Sequence, residues 1–323
     1  MVNQKDNHVK FSLIVPLYNE QENITHLHKE IISALHDYEY ELIYVNDGSS
    51  DKTFSKTIEA INNMPVSWAR IINLSKNYGQ SFAFKLGLDN ARFSVIIFMD
   101  GDLQNDPKDI PLLLDKFSEG YDLVQGVRAK RRDPLLQKIL PSKLANLFLR
   151  ILCGSKFSDL GCSLKVFSKK LVNGLYFYQG FHRILPIYLS LKGAKMTEIE
   201  INHRKRLCGK SKYGFSRAAE VFFEIIRINF IEKGSNNFIY ITIGIGFILG
   251  CLGLLIGFNL VKNINLFGFL GLISFVLGLY LFVIATSLHI IRSFYAYHQK
   301  FKEIEESHYE IINYEQGKEA QRS

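Results

Sequence analysis

Phe98-Met99-Asp100-Gly101-Asp102-Leu103-Gln104 decides how this chain is read. It closes an apolar run, Ser94 to Met99, that is rich in β-branched residues and bounded by a polar break, the pattern of a buried strand ending in two carboxylates. In an open α/β sheet, ligands bind beyond the carboxyl ends of the strands. Two aspartates separated by one glycine can turn their oxygens toward one hard cation. Mg²⁺ or Mn²⁺ typically uses few protein carboxylates and takes its remaining ligands from substrate phosphates and water. The stretch therefore points to a metal–diphosphate site. An isolated Asp-x-Asp is more often an acidic surface turn; the strand before it and the loops around it weigh the other way.

Toward the N-terminus the same unit repeats. Phe11 to Val15 reads as a strand stopped by Pro16, and Glu22 to Tyr38 has helical spacing. Glu41 to Val45 is a second strand, followed by Asn46-Asp47-Gly48-Ser49-Ser50-Asp51 and a helix from Lys52 to Asn62. Ala69 to Leu74 is a third, followed by Ser75 to Gln80 and a helix from Ser81 to Ala91. Strands alternating with helices of this length imply a doubly wound, mostly parallel sheet. Three of the four strands end in loops bearing Asp or Glu, which suggests one site at one sheet edge. An ionised carboxylate only accepts hydrogen bonds. Asp47 thus suits a base with a ring N–H, as in uracil or guanine, with Asp51 beside it at the nucleoside end and Asp100 and Asp102 at the diphosphate end. Asn46 to Ser49 also has the composition of a simple turn. No Gly-x-Gly-x-x-Gly follows the first strand and no Gly-x-x-x-x-Gly-Lys-Ser/Thr occurs, which disfavours a Rossmann cofactor site or a P-loop.

The chain has 323 residues and a net charge of +8, a balance that suits anionic lipid, a phosphorylated substrate or nucleic acid. Cys153, Cys162, Cys208 and Cys251 form no Cys-x-x-Cys pair, which fits a reducing compartment and argues against a zinc site or a disulfide framework. Met1 to Lys10 lacks the apolar core of a signal peptide. The composition changes near residue 237. Phe238 to Val261 and Ile264 to Leu288 are uncharged runs, each long enough to span a hydrocarbon core of ~30 Å, with only Lys262 and Asn263 between them. They read as a transmembrane helical hairpin. Arg217, Arg227 and Lys233 before it and Arg292, Lys300 and Lys302 after it place the N-terminal domain on the cytoplasmic side.

Val15-Pro16-Leu17-Tyr18-Asn19-Glu20, Val45 to Asp51, Asn77-Tyr78-Gly79-Gln80 and Asp100 to Gln104, in this order, resemble family 2 glycosyltransferases. The branch they resemble is that of the polyprenyl-phosphate glycosyltransferases, such as dolichol-phosphate mannose synthase; Asn77 to Gln80 and Asp159-Leu160-Gly161-Cys162 are similar to the aminoarabinose-type transferases. The resemblance implies a GT-A-like fold. It places Pro16, Tyr18, Glu20 and Asp47 at the nucleotide, and Asp100, Asp102 and Gln104 around the metal and diphosphate. It sets Asp159 beside the reacting centre, with general base, acceptor positioning, binding of a donor sugar hydroxyl, orientation of Arg128 or a purely structural role as its alternatives.

Further along, Pro107 to Glu119 reads as a helix and Tyr121 to Val127 as a strand, before the basic cluster Arg128-Ala129-Lys130-Arg131-Arg132. No aromatics interleave with that cluster, so base stacking is unsupported and no nucleic-acid partner is expected. About 134–152 the apolar residues recur at helical spacing with cations between them, as in an interfacial helix. Phe181 to Leu191 is a helix and Lys195 to Ile201 a late strand. Arg206, Gly209, Ser211, Lys212 and Tyr213 match an Arg-x-x-Gly-x-Ser-Lys-Tyr segment of the family, and 211–235 reads as a juxtamembrane amphipathic helix. After the hairpin, 289–323 reads as a cytoplasmic tail, helical or a contact between subunits, with disorder in the last residues.

The expected organisation is a catalytic domain over 1–210 held on the membrane by these segments. The expected reaction is inverting transfer of one sugar from a nucleoside diphosphate donor, UDP by the branch resembled, to a polyprenyl phosphate. Mg²⁺ or Mn²⁺ would sit on Asp100 and Asp102. Arg128 and Arg131, with Arg206, Ser211 and Lys212, would receive the acceptor phosphate, since the fork of arginine suits that task. Catalytic work falls to Asp102 and Asp159. The resemblance also admits a homo-oligomer. A processive polysaccharide synthase is the nearest alternative, but its Gln-x-x-Arg-Trp motif is absent, the single tryptophan being Trp68. A non-catalytic membrane adaptor would be expected to have lost the Asp-x-Asp.

Overall fold

In a computed structural model, the residues described are 9–128, 159, 161–173, 175, 177, 180–204, ten positions between 273 and 295, 309–315 and 321–322. The chain divides into two units, Met1–Val221 with Phe301–Ser323, and Phe222–Lys300.

The first unit is built on a nine-stranded sheet. Its strands are β1 (Phe11–Leu17), β2 (Tyr40–Asn46), β3 (Trp68–Asn73), β4 (Val95–Phe98), β5 (Leu123–Arg128), β6 (Lys165–Ser168), β7 (Met196–Ile201), β8 (Glu310–Glu315) and β9 (Gln321–Arg322), in the order β7-β5-β6-β4-β1-β2-β3-β8-β9. The helices are α1 (Ile24–Ala34), α2 (Thr53–Asn63), α3 (Gln80–Asp89), α4 (Ile110–Ser118) and α5 (Phe181–Leu191). The central strands β4, β1, β2 and β3 are parallel, as the alternation of strand and helix predicts. The flanks differ: β6 runs antiparallel to both β4 and β5, and β8 runs antiparallel to β3. The sheet is therefore mixed rather than mostly parallel. Both antiparallel strands come from long-range returns of the chain, which local periodicity does not reveal.

Alternation along β1 and β2 sends one set of side chains to each face. Leu13, Val15 and Leu17 join Leu42, Tyr44 and the α1 residues Ile24, Leu27 and Ile31 in one buried layer. On the other face the rings of Phe84, Phe98, Phe167, Phe177 and Phe181 pack together, with centroids 4.2–5.9 Å apart. Tight packing on both faces leaves the loops at the carboxyl ends of β1–β4 as the place where polar side chains meet.

Pro16 lies inside a parallel strand, an unusual place for it. Ile14 accepts from the Met99 N–H on the β4 side, whereas Leu17 accepts from the Asp47 N–H on the β2 side. By alternation the missing N–H of Pro16 would have faced β4. The β1–β4 register ends at Ile14↔Phe98, so the proline stops that ladder and releases the chain into Asp100-Gly101-Asp102.

The tail is not wholly helical: Glu310–Glu315 is a strand with Ile312 buried, covering the edge of β3, and Gln321–Arg322 pairs with it rather than being disordered. Ile311, Ile312 and Tyr314 favour a half-buried pleated position, and an uncovered β3 would present unpaired backbone groups.

In the second unit, Ile273, Leu277, Leu279, Tyr280, Ile284, Ile291 and Tyr295 are helical and exposed. Among the described residues no helix is long and apolar enough to cross a membrane. The segments 134–152, 211–235 and 238–261 lie outside the described residues, as do Arg131, Arg206, Ser211 and Lys212; 264–288 is described at eight positions only.

Candidate active site

The loops after β1 and β2 are sewn together. Asn19 N–H donates to Ser49 Oγ (2.9 Å), and Ser50 N–H donates to Asn19 Oδ1 (2.9 Å). Glu20 N–H donates to Thr53 Oγ1 (2.8 Å), while the Glu20 carboxylate accepts from Asn23 Nδ2 (2.6 Å). Asp51 accepts from the Thr53 N–H (2.9 Å), the Thr53 hydroxyl and the Gln21 N–H (3.3 Å). Its carboxylate thus caps the first turn of α2 and anchors the neighbouring loop. Tyr18, Asn19 and Glu20 are half-buried, and Asn19 sits at φ 51°.

Asp47, 3% exposed, is the hub that joins the loops after β2 and β3. Its Oδ1 accepts from Tyr78 N–H (2.7 Å); its Oδ2 accepts from Gly79 N–H (2.9 Å) and Asn77 Nδ2 (2.9 Å). An ionised carboxylate only accepts hydrogen bonds, and these three donors fix its plane. The motif Asn77-Tyr78-Gly79 is thereby explained: it supplies the donors that fix this carboxylate. Gly48 makes the approach possible. It adopts φ +61°, and a Cβ there would fall 2.1 Å from the Lys76 carbonyl carbon.

Gln80 continues the same motif toward Asp100 and Asp102. Its amide donates to Asp100 Oδ1, and Ser163 also hydrogen-bonds the Asp100 carboxyl. Ser163 Oγ in turn accepts from Asn105 Nδ2 (2.7 Å). Burial, and then the neighbouring charge of Asp102, push the Asp100 carboxyl up to about 6, with Ser163, Lys165 and Arg183 pulling it back. Asp102 is 8% exposed. Gly101 between them leaves room for β1, since a Cβ would lie 2.5 Å from Leu17 Cδ2 and 3.1 Å from the Pro16 carbonyl oxygen. Leu103 is held at φ 61°, a costly conformation for leucine that concentrates at functional turns.

These features fit a divalent cation. A carboxyl raised first by burial and then by the neighbouring carboxylate would gain from a dication shared between the two. Among the described residues no group of three or more His, Cys, Asp or Glu could hold a metal; an ion on Asp100 and Asp102 would need further ligands, such as substrate phosphate and water. Gln104 shares the loop, but its backbone carbonyl accepts from Arg204 N–H (2.9 Å) and its amide lies 3.5 Å from the Arg204 carbonyl.

On the far side of the sheet edge, Asp159 and Arg128 meet as a forked pair. Arg128 Nε donates to Asp159 Oδ2 and Nη2 to Oδ1, both at 2.7 Å. Arg204, the first cation of the second basic segment, is bound to Glu30 (2.7 and 2.9 Å) and to Asp106.

Three contributors have no motif that marks them. Lys165, on β6 opposite Phe98, is 1% exposed and donates to the His182 carbonyl (2.9 Å). Burial lowers its ammonium to about 8, against the pull of Cys162, Asp100 and Asp159. His182 is buried against Ser81 Oγ (Nδ1 2.8 Å), and Arg183 lies within electrostatic reach of Asp100. Among these, only His182-Arg183 at the start of a helix stands out in the sequence as polar.

Residues 12–175 match the profile of Glycosyl transferase family 2. The chain belongs to that family. Its relatives include a dodecaprenyl-phosphate galacturonate synthase of Rhizobium johnstonii, 33% identical over 77% of this chain and 75% of that one. An undecaprenyl-phosphate 4-deoxy-4-formamido-L-arabinose transferase of Yersinia pestis is 35% identical over 67% of this chain and 66% of its own length. Among solved structures, glucosyl-3-phosphoglycerate synthase of Mycobacterium tuberculosis, in complex with Mn²⁺, UDP and glucosyl-3-phosphoglycerate, aligns with a TM-score of 0.56 at 17% identity, covering 69% of this chain and 80% of that one. That likeness establishes a shared GT-A-like mixed-sheet fold.

Proposed function

We propose that this family 2 glycosyltransferase moves a single sugar from a nucleoside diphosphate donor to the phosphate of a polyprenyl lipid, with inversion at the anomeric carbon. The observation that carries the reading is one sheet edge holding a crowded aspartate pair beside a forked arginine, in a chain whose relatives are named for polyprenyl-phosphate sugar transfer.

Each half of the edge has its task. The loops that carry Pro16, Tyr18, Glu20, Asp47 and Asp51 receive the nucleoside, with the Asp47 carboxylate, an acceptor only, facing a ring N–H. Uracil and guanine offer that donor, and UDP is favoured by the branch resembled. Asp100 and Asp102 hold Mg²⁺ or Mn²⁺, which when bound neutralises charge on the departing diphosphate. Gln80 and Ser163 keep Asp100 in one orientation. Arg128, with Arg131, Arg206, Ser211 and Lys212, receives the acceptor phosphate. An enzyme of this kind works chiefly by positioning and by preset charge.

The lipid acceptor calls for a membrane. The uncharged runs 238–261 and 264–288, and the exposed apolar residues from Ile273 to Tyr295, support an anchor in the bilayer, with the catalytic domain at its cytoplasmic face. The test is product analysis: purified protein in detergent with Mg²⁺, a short polyprenyl phosphate and a panel of UDP- and GDP-sugars, read by mass spectrometry. A glycosyl-phosphoryl-lipid from one donor supports the reading. Nucleotide binding without any such product contradicts it.

A further inference from the structure

A glycosyltransferase whose acceptor is an alcohol needs a base to take the proton from the attacking oxygen, and a buried carboxylate beside the reacting centre is the natural candidate. Asp159, 3% exposed, is such a carboxylate, yet its surroundings suit another task. Both oxygens serve as the socket of one guanidinium: Oδ2 accepts from Arg128 Nε and from the Arg128 backbone N–H (3.3 Å), Oδ1 from Arg128 Nη2 and from the Gly161 N–H (3.2 Å). The loop is shaped around that side chain. A Cβ on Gly161 would lie 2.7 Å from Arg128 Nη2, so a larger residue there would displace the tip of the fork. Gln125, buried in β5, ties the loop down by donating to the carbonyls of Asp159 (3.3 Å) and Cys162 (2.8 Å). Arg128 is the last residue of β5, so the clasp fixes its guanidinium at the sheet edge.

Building on the polyprenyl-phosphate reading, we propose that Asp159 is a positioning residue that aims Arg128 at the acceptor phosphate, and that no side chain of this enzyme takes a proton in the transfer step. The chemistry closes without one. A phosphate monoester has its second pKa near 6, so at neutral pH the attacking oxygen is already an anion. That oxygen forms the new bond to the anomeric carbon. The bond from that carbon to the β-phosphate oxygen breaks, its electron pair leaves with the nucleoside diphosphate, and no proton is exchanged. A carboxylate free to act as base would also repel the dianionic acceptor, whereas one neutralised by a fork pair does not.

The experiment compares full-length Asp159→Asn, Arg128→Gln and the double variant, with the short polyprenyl phosphate and the donor that serves the wild type. Asp159→Asn should raise KM for the lipid phosphate on the order of 10–100-fold, as loss of one partner of a buried charge pair does, with kcat within a few-fold of wild type. The double variant should be no worse than Arg128→Gln alone. A kcat loss on the order of 10³ with KM unchanged, adding in full to the arginine change, would mean that Asp159 is the base and overturn the proposal. A second readout needs no variant. The single-turnover rate of the wild type should be the same in H₂O and D₂O, and a clear slowing in D₂O would overturn the proposal even if the variants fail to fold. A wild type that glycosylates no polyprenyl phosphate overturns the acceptor assignment itself; product from the wild type with loss of kcat in Asp159→Asn overturns only the positioning role.

Discussion

The two halves of the sheet edge are prepared for substrate in different ways. On the half proposed for the nucleotide, Asn19, Asp47, Asp51 and Thr53 are knit by local hydrogen bonds, many donated to side chains by main-chain N–H groups. Shape is preset there. On the half proposed for the phosphates, Asp100 is pushed up, Lys165 is pulled down and Asp159 is locked to Arg128, all in nearly dry surroundings. Charge is preset there. A sugar–nucleotide is recognised by contacts that stay the same through the reaction, whereas the diphosphate gains negative charge as it leaves. Differential stabilisation of the transition state belongs with the second half.

The sharpest way to break this comparison is Asp102→Asn. It should lower turnover on the order of 10³-fold while leaving the fold and nucleotide binding intact; near-normal activity would remove the charge half of the account. Next, Gly48→Ala acts on the shape half. A methyl group 2.1 Å from the Lys76 carbonyl carbon, at φ +61°, should cost about 2–3 kcal/mol in chemical denaturation and weaken nucleotide binding. Kinetics after the metal is saturated should change much less.

The pH dependence separates the halves again. Asp100 has its folded-state carboxyl raised to about 6, so its charge is lost as pH falls through that value. Mn²⁺ affinity measured by calorimetry should therefore drop up to about tenfold per unit below pH 6, as one proton competes with the ion. A flat affinity down to pH 5 would contradict the crowding of the pair. Lys165→Met sharpens the same point: it removes a buried ammonium that helps hold the Asp100 carboxyl down, so that carboxyl should rise further, the melting temperature should fall and turnover should drop several-fold. The smallest effect lies far from the site. His28 is buried between Tyr44 and Met64 and its imidazolium is disfavoured by burial. Its folded pKa is below 6.5, so its stabilisation is complete above that value and is lost as pH falls below it, by at most about 1.4 kcal/mol per unit. His28→Gln should flatten that slope.

How much of this was legible in the sequence follows from the range of the interactions. Strands β1 to β4, the helices between them and the polar loops at their ends announce themselves through local period and turn chemistry, and Asp47, Asp100 and Asp102 come with them. The partners of those residues do not. Asn77 to Gln80 could be seen as a motif, but nothing in its own composition says that it holds Asp47 and Asp100, thirty and twenty residues away in the chain. β6 is four residues long and opens with a lysine, which reads as a polar break until its pairing with β4 buries it. β8 lies beyond two apolar runs, and only the open edge of β3 gives it a place. Asp51 announces itself as an acidic residue near a turn, but its partners Thr53 and Gln21, which hold its oxygens and join the two loops, are not named by the composition of its own loop.

The most direct measurement of the central claim compares two acceptors that differ only in the charged group. A labelled donor sugar, chosen from the active member of the panel, is offered with a short polyprenyl phosphate and, separately, with the corresponding free polyprenol. The account predicts labelled glycolipid from the phosphate and none from the alcohol, because Arg128 and its neighbours recognise an anion and no base is supplied for a hydroxyl. Transfer to the alcohol at a comparable rate would contradict it.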